Sequence, residues 1–291
     1  MMPSLSWACA CGCQVFDVGT NSMFPEGKGG VVFAEYDFMD QTHNWSKSSK
    51  ASNDVNPDKQ IRSSFINTGV QYMFNRSWGV ELELPNVHRY FKTTDDDTGD
   101  TVHFAHSAIG DIHLQGVYTG FSPDMSTGIT FGLKIPTGDW KYPHFDRDVE
   151  IGTGSTDALI GAYQRGTLMG SDRFDYFIQD LLDQPFLTQG GYRPGTENDA
   201  ALGVYYKGWS LGAVRITPIA EIKNSYRSRD RGRVADPTNS GYERILLTPG
   251  IELDYQRIMV YFDVGFPVYQ YVNGNQLTAS ALYKVTVSWM F

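Results

Sequence analysis

Cysteine is nearly missing from this 291-residue chain: Cys9, Cys11 and Cys13 stand together near the start, and none follows them. A disulfide framework for the main body is thereby excluded. No run of about 18 apolar residues occurs, and the mean hydropathy is −0.33, so membrane-crossing helices are excluded as well. Basic residues are also scarce. Against 33 Asp and Glu there are 24 Lys and Arg, a net charge of −9, and a surface of that sign does not suit phosphate backbones, which sets nucleic acid aside as a partner. The opening MMPSLSWACA, Met1 to Ala10, has no Lys or Arg and too short an apolar stretch for an export signal, so the expectation is a signal already removed or only its tail remaining.

What the chain does have is alternation. From Ser280 to Phe291 one face carries Phe291, Trp289, Val287, Val285 and Tyr283, while Ser288, Thr286, Lys284 and Ser280 lie on the other. A period of two marks a strand. The pattern recurs around Val32–Phe38, Thr68–Phe74, Trp78–Leu84, Ile112–Tyr118 and Ile129–Ile135, and again in Val214–Lys223, Ile245–Tyr255 and Val260–Val268. Three segments between them, Ala158–Arg165, Asp175–Leu187 and Ala201–Tyr206, read as strands with mixed faces, bringing the count to about twelve. Connections alternate short and long, as periplasmic turns and extracellular loops do in outer-membrane barrels. A soluble β-sandwich or barrel also alternates its faces, but gives no reason for loops that alternate in length.

The expected fold is therefore all-β: an antiparallel transmembrane β-barrel of outer-membrane type over residues 29–291, preceded by a periplasmic segment, residues 1–28, that carries Cys-x-Cys-x-Cys. An even strand number puts both termini in the periplasm, and outer-membrane lipid is the surrounding partner.

Polar strand faces must then line the lumen, because lipid does not accept their charges. The acids of that lining are Glu35, Asp37, Glu81, Glu83, Asp111, Glu221, Glu252, Asp254 and Asp263, against Lys134, Arg215, Lys223 and Lys284, with His113 beside them. A water-filled pore of this sign favours cations. The other reading is a plugged barrel whose acids pair with its bases.

Three thiols at alternate positions of an extended segment point the same way and suit Cu or Zn, making Cys9, Cys11 and Cys13 a candidate metal site. Oxidation to a Cys–Cys pair, contact with a partner and lipidation are the competing readings. No Cys-x-x-Cys-His occurs, so attached c-type haem is not expected, and no other cofactor is implied. For an enzyme the nearest pair is His106-Ser107, but neighbours on a strand point to opposite faces.

Gly110-Asp111-Ile112-His113-Leu114, Ile135-Pro136-Thr137-Gly138-Asp139 and Ile151-Gly152-Thr153-Gly154-Ser155-Thr156-Asp157 together resemble the outer-membrane family of phenol meta-pathway degradation proteins. The resemblance covers about residues 105–165 and implies an exported transporter-like barrel, without pointing to phenol as the solute. Pro136 cannot donate to a strand ladder and Gly138 permits a turn, so this motif should end a strand at the extracellular rim.

The function expected is a channel or transporter for passive passage of a small solute, cation-preferring, and not an enzyme. The alternative is a structural sheath around a periplasmic electron- or metal-carrying protein. An outer-membrane lipid hydrolase is the third reading.

Overall fold

The computed structural model describes residues 14–19, 24–25, 27–52, 54, 56–95 and 97–291. Cys9, Cys11 and Cys13 lie outside the described residues. A 3-10 turn, Gln14–Asp17, precedes the strands. These are β1 (Gly29–Lys47), β2 (Ser49–Lys50), β3 (Gln60–Met73), β4 (Trp78–Thr94), β5 (Thr101–Ile109), β6 (Ile112–Tyr118), β7 (Thr127–Ile135) and β8 (Ser155–Thr167). They continue as β9 (Phe174–Thr188), β10 (Tyr192–Arg193), β11 (Glu197–Tyr206), β12 (Trp209–Leu211), β13 (Val214–Arg227), β14 (Arg231–Gly232), β15 (Tyr242–Tyr255) and β16 (Ile258–Met290).

Eleven strands close an antiparallel ring in the order β1, β3, β4, β6, β7, β8, β9, β11, β13, β15, β16. β2, β5 and β12 pair onto it from outside the ring, while β10 and β14 form a separate ribbon. Three of these ring strands, β8, β9 and β11, come from the segments whose faces looked mixed. The last strand has 33 residues. It pairs with β15 through Ile258–Val272 and with β1 through Val272–Met290. Between these stretches Asn273-Gly274, with Gly274 at φ 62°, supplies the left-handed backbone that a tight strand reversal needs.

The wall departs from regularity at one place. β4 pairs with β6 through Trp78–Glu83 and with β5 through Asn86–Thr94, so β5 and β6 share one lane that breaks at Gly110-Asp111. β7 pairs with β6 but stops at Ile135, and the far edge of β5 meets no other strand among the described residues. The connection 136–154 turns in behind β5: the Phe104 ring stacks on His144 at 4.5 Å, and Phe91 meets Phe145 edge-on at 5.9 Å.

Side chains are distributed inside out. Ile66, Ile160, Leu202 and Ile222 are 52%, 55%, 48% and 51% exposed, whereas Asp37, Glu221 and Lys284 are at 0%, 1% and 1%. In water each such aliphatic forgoes roughly 1.5–3 kcal/mol of burial, and each buried ion costs several kcal/mol, so this surface belongs in lipid. Exposed aromatics ring the end where the short turns lie, among them Phe74, Trp78, Phe121, Trp209 and Trp289, as interfacial girdles do.

Candidate functional site

The lumen is built from the inward halves of the alternating strands, and its charges meet across them. On the seam between β1 and β16, Lys284 Nζ lies 3.1 Å from the Glu35 carboxylate, which also accepts from Thr286 Oγ1 at 2.8 Å. Lys223 sits 3.0 Å from Asp263 and 3.4 Å from Glu221, and the Tyr261 hydroxyl meets both acids, at 2.8 Å to Glu221 and 2.9 Å to Asp263. Lys134 is 2.5 Å from Asp157 and also pairs with Asp183. His113 lies 3.8 Å from Glu83. Two further carboxylates are held by amides: Asn67 Nδ2 donates to Asp37 at 3.0 Å and Gln71 Nε2 to Glu81 at 2.7 Å. Glu252 is buried, and the Arg215–Asp254 pair, at 2.9 Å, stands at the short-turn mouth with the Arg215 side chain 61% exposed.

The segment ahead of β1, read as periplasmic, runs inside the barrel over its described part. Lys284 donates to the Phe16 carbonyl, and the Phe16 ring packs on Phe65 at 6.2 Å. Farther along, Gln179 Oε1 accepts from Gly19 N–H at 3.0 Å, and Arg165 Nη2 donates to the Pro25 carbonyl at 3.0 Å. Phe24 stacks on Tyr163 at 4.7 Å and leans on Phe177 at 5.5 Å. This is why the faces of β8, β9 and β11 read as mixed: Tyr163, Phe177, Leu181 and Ala201 point inward to meet Val18 and Phe24.

Three cavities follow one another through the lumen. The one near the long loops, about 170 Å³, is lined by Asp37, Glu83, Lys134 and the apolar Phe65, Val87 and Ile151. It shares Phe16 and Asp17 with a middle cavity of about 80 Å³ around Glu35, Glu81 and His113. That one shares Phe24 and Pro25 with a third, about 220 Å³, which reaches Arg215, Glu252 and Phe291 at the short-turn end.

The three motifs of the 105–165 region converge on one knot. Asp111 Oδ1 accepts from the Gly138 N–H at 2.9 Å, and Thr137 Oγ1 donates to the Gly110 carbonyl at 2.8 Å. Asp111 Oδ2 accepts from both Thr153 N–H and Thr153 Oγ1. A Cβ on Gly138 would stand 2.7 Å from Gly152 Cα, so the two backbones approach only as glycines. The knot turns connection 136–154 into the mouth, where Arg89 Nη1 donates to the carbonyls of Val149 and Glu150 at 2.8 Å each. His106 stacks on Tyr142 at 4.2 Å and reaches Asp139 at 2.9 Å. Arg147 lies over Tyr192 at 4.3 Å and over Trp140 at 5.1 Å, tying this connection to the next. Burial raises the Glu150 carboxyl from 4.5 to about 7.

Asp111 thus lines the cavity near the long loops and at the same time holds the wall together. Asp157, Asp183, Glu197 and Asp199 are buried lumen acids that the sequence reading passed over; Glu197 and Asp199, two residues apart on one strand, were the available signal. Ser107, half of the one nucleophile–base pair considered, faces outward and meets His88 Nδ1 at 2.7 Å, while His106 faces the mouth. No group of three or more His, Cys, Asp or Glu suited to a metal ion occurs among the described residues.

The barrel is similar to solved membrane proteins. An outer membrane channel from Pseudomonas putida F1 superposes with a TM-score of 0.68 at 12% identity, over 94% of this chain and 100% of the other. The fold is that of an outer-membrane β-barrel. The β domain of the Bordetella autotransporter BrkA follows at TM-score 0.54 and 9% identity, over 91% of this chain and 100% of that one. No family model matches the chain, and no curated protein matches it in sequence. The phenol-pathway resemblance therefore rests on its three motifs.

Proposed function

We propose that the chain is a passive conduit for a small solute across the outer membrane, preferring cations, with twelve crossings, β16 supplying two, and both termini in the periplasm. The observation that carries it is the series of three cavities along the lumen, parted by Phe16-Asp17 and by Phe24-Pro25 of the chain's own N-terminal segment. The structural likeness to a bacterial outer membrane channel agrees with it. Cation preference draws support from the lining, where Asp37 and Glu81 take amide donors and the remaining acids outnumber the lysines. Fixed carboxylates of this kind lower the energy of a cation in the constriction and raise that of an anion. The apolar patch of Phe65, Val87 and Ile151 beside those acids suits a solute with a small hydrocarbon part. A lumen occupied by residues 14–19 and 24–25 leaves little bore for an inserted carrier protein, which favours the conduit over the sheath.

Purified protein in planar bilayers under a KCl gradient tests this reading. The expected result is a reversal potential of cation sign that shrinks in Asp37→Asn combined with Glu83→Gln. A barrel that stays silent even when Phe16 and Phe24 are both changed to Ala would overturn it.

A further inference from the structure

The outward faces of the strands do not end alike. Along β4 the outward residues begin as Trp78, Val80, Leu82 and Leu84 and then change to Asn86, His88, Tyr90 and Lys92. β3 changes in the same direction, from Val70 and Ile66 to Ser64, Arg62 and Gln60, and β5 from Ile109 to Ser107 and His103. The alternate positions, Ile61, Ser63, Val87, Arg89 and Phe91, are buried in the lumen, which fixes the outward assignment. On the opposite wall β15 stays apolar through Leu253, Ile251, Leu247 and Ile245 and turns charged only at its last outward residue, Glu243, and β16 carries Phe262, Phe266 and Val268.

Register gathers the polar side chains into three rows: Gln60 beside Lys92 beside His103, Arg62 beside Tyr90 beside Ala105, and Ser64 beside His88 beside Ser107. Neighbours in such rows have Cβ atoms about 4.5–5.5 Å apart. The Arg62 guanidinium lies over the Tyr90 ring at 5.0 Å, and Tyr90 stacks on His103 at 5.8 Å. The acid nearest in register is Asp40, opposite Arg62 on β1, and its two oxygens accept from Gln60 Nε2 at 2.8 and 3.0 Å. Neither Arg62 nor Lys92 has an ion pair among the described residues.

The height of this patch follows from the free edge of β5. Backbone groups with no strand beside them do not lie in hydrocarbon, so the apolar layer ends near Ile109, which is 57% exposed, and Ser107, His103, Arg62 and Lys92 stand at headgroup level. We infer that the outward face of β3–β5 above Ile109 binds a membrane lipid that carries phosphomonoester groups, with Arg62 and Lys92 as the anion-binding pair and Tyr90 as the platform between them. Two permanent cations match the double charge of a phosphomonoester better than the single charge of a diester. The inference rests on the chain lying in a membrane and is independent of whether it conducts.

The test is native mass spectrometry of the full-length protein in neutral detergent, titrated with diphosphorylated lipid A, with dephosphorylated lipid A of the same acyl chains, and with inorganic phosphate alone. The expected result is at least tenfold tighter binding of the phosphorylated lipid, with that preference lost in the Arg62→Gln, Lys92→Gln double variant. Both substitutions are outward, and heat-modified gel mobility verifies that the variant barrel is folded. Equal affinity for the two lipids would overturn the inference, as would an undiminished preference in the folded variant. Inorganic phosphate that competes the lipid off at matching concentration would overturn the lipid as the source of the phosphate.

Discussion

Asp111 accepts two hydrogen bonds from Thr153, one from the backbone N–H at 2.8 Å and one from the hydroxyl at 2.6 Å. They span the break in the barrel wall and, with the Gly138 N–H on the other carboxylate oxygen, hold connection 136–154 in the mouth. Asp111→Asn replaces an acceptor oxygen with an N–H₂ that faces donors, and should destabilise this knot by about 1–3 kcal/mol, the cost of a buried unsatisfied group. Hydrogen exchange should rise in residues 136–154 and leave β13 and β15 unchanged. Equal exchange in variant and wild type would count against the latch.

The Glu150 carboxyl, raised by burial from 4.5 to about 7, gives this connection a pH dependence. A raised acid means that the folded connection holds its proton more tightly than the open one. Its contribution is therefore most favourable below pH 4.5 and is lost as pH rises through about 7. Limited proteolysis within residues 136–154 should be slower at pH 5 than at pH 8, and Glu150→Gln should remove the difference.

Lys284 is a buried cation with two obligations, the Glu35 carboxylate at 3.1 Å and the Phe16 carbonyl. Lys284→Met strands Glu35 and should cost about 3–5 kcal/mol of stability. Adding Glu35→Gln should recover a large part of it, since removing both charges of a buried pair costs far less than removing one. Urea unfolding of the two variants in lipid vesicles reads out the difference.

Phe16 and Phe24 divide the lumen, and neither belongs to the wall. Phe16→Ala with Phe24→Ala should raise single-channel conductance roughly several-fold by widening the two partitions, the hydrophobic constrictions of the path. An unchanged conductance would mean that ions pass elsewhere.

For Cys9, Cys11 and Cys13, bound Cu or Zn measured by elemental analysis should fall when all three become Ser. Equal metal in both proteins would remove the proposed site.

Much of the wall was legible because lipid on one side and water on the other force a period of two, and β7 displays it without interruption. β8, β9 and β11 were blurred for a physical reason: their inward faces are partly apolar, since they seat Val18 and Phe24 rather than water. β5 was not legible as a strand, because its outward residues His103 and Ser107 are polar and the hydrophobic signal vanishes there. Acids and bases of the lumen could be named from Glu35 to Lys284, but their partners could not. Lys284 meets Phe16 across nearly the whole length of the chain, and only closure of the ring creates that neighbourhood. Likewise Gly110-Asp111, Thr137-Gly138 and Gly152-Thr153 were visible as three motifs, and their meeting in one knot is a property of the folded mouth.

The seat of the N-terminal segment is shared between the first strands and the last: Phe65 on β3, Gln179 on β9 and Lys284 on β16 each hold part of it. A ribosome delivers the segment first and its final anchor nearly last. During insertion, then, the segment has no complete socket until the sheet curls round and its two edges join, so division of the bore coincides with the end of assembly.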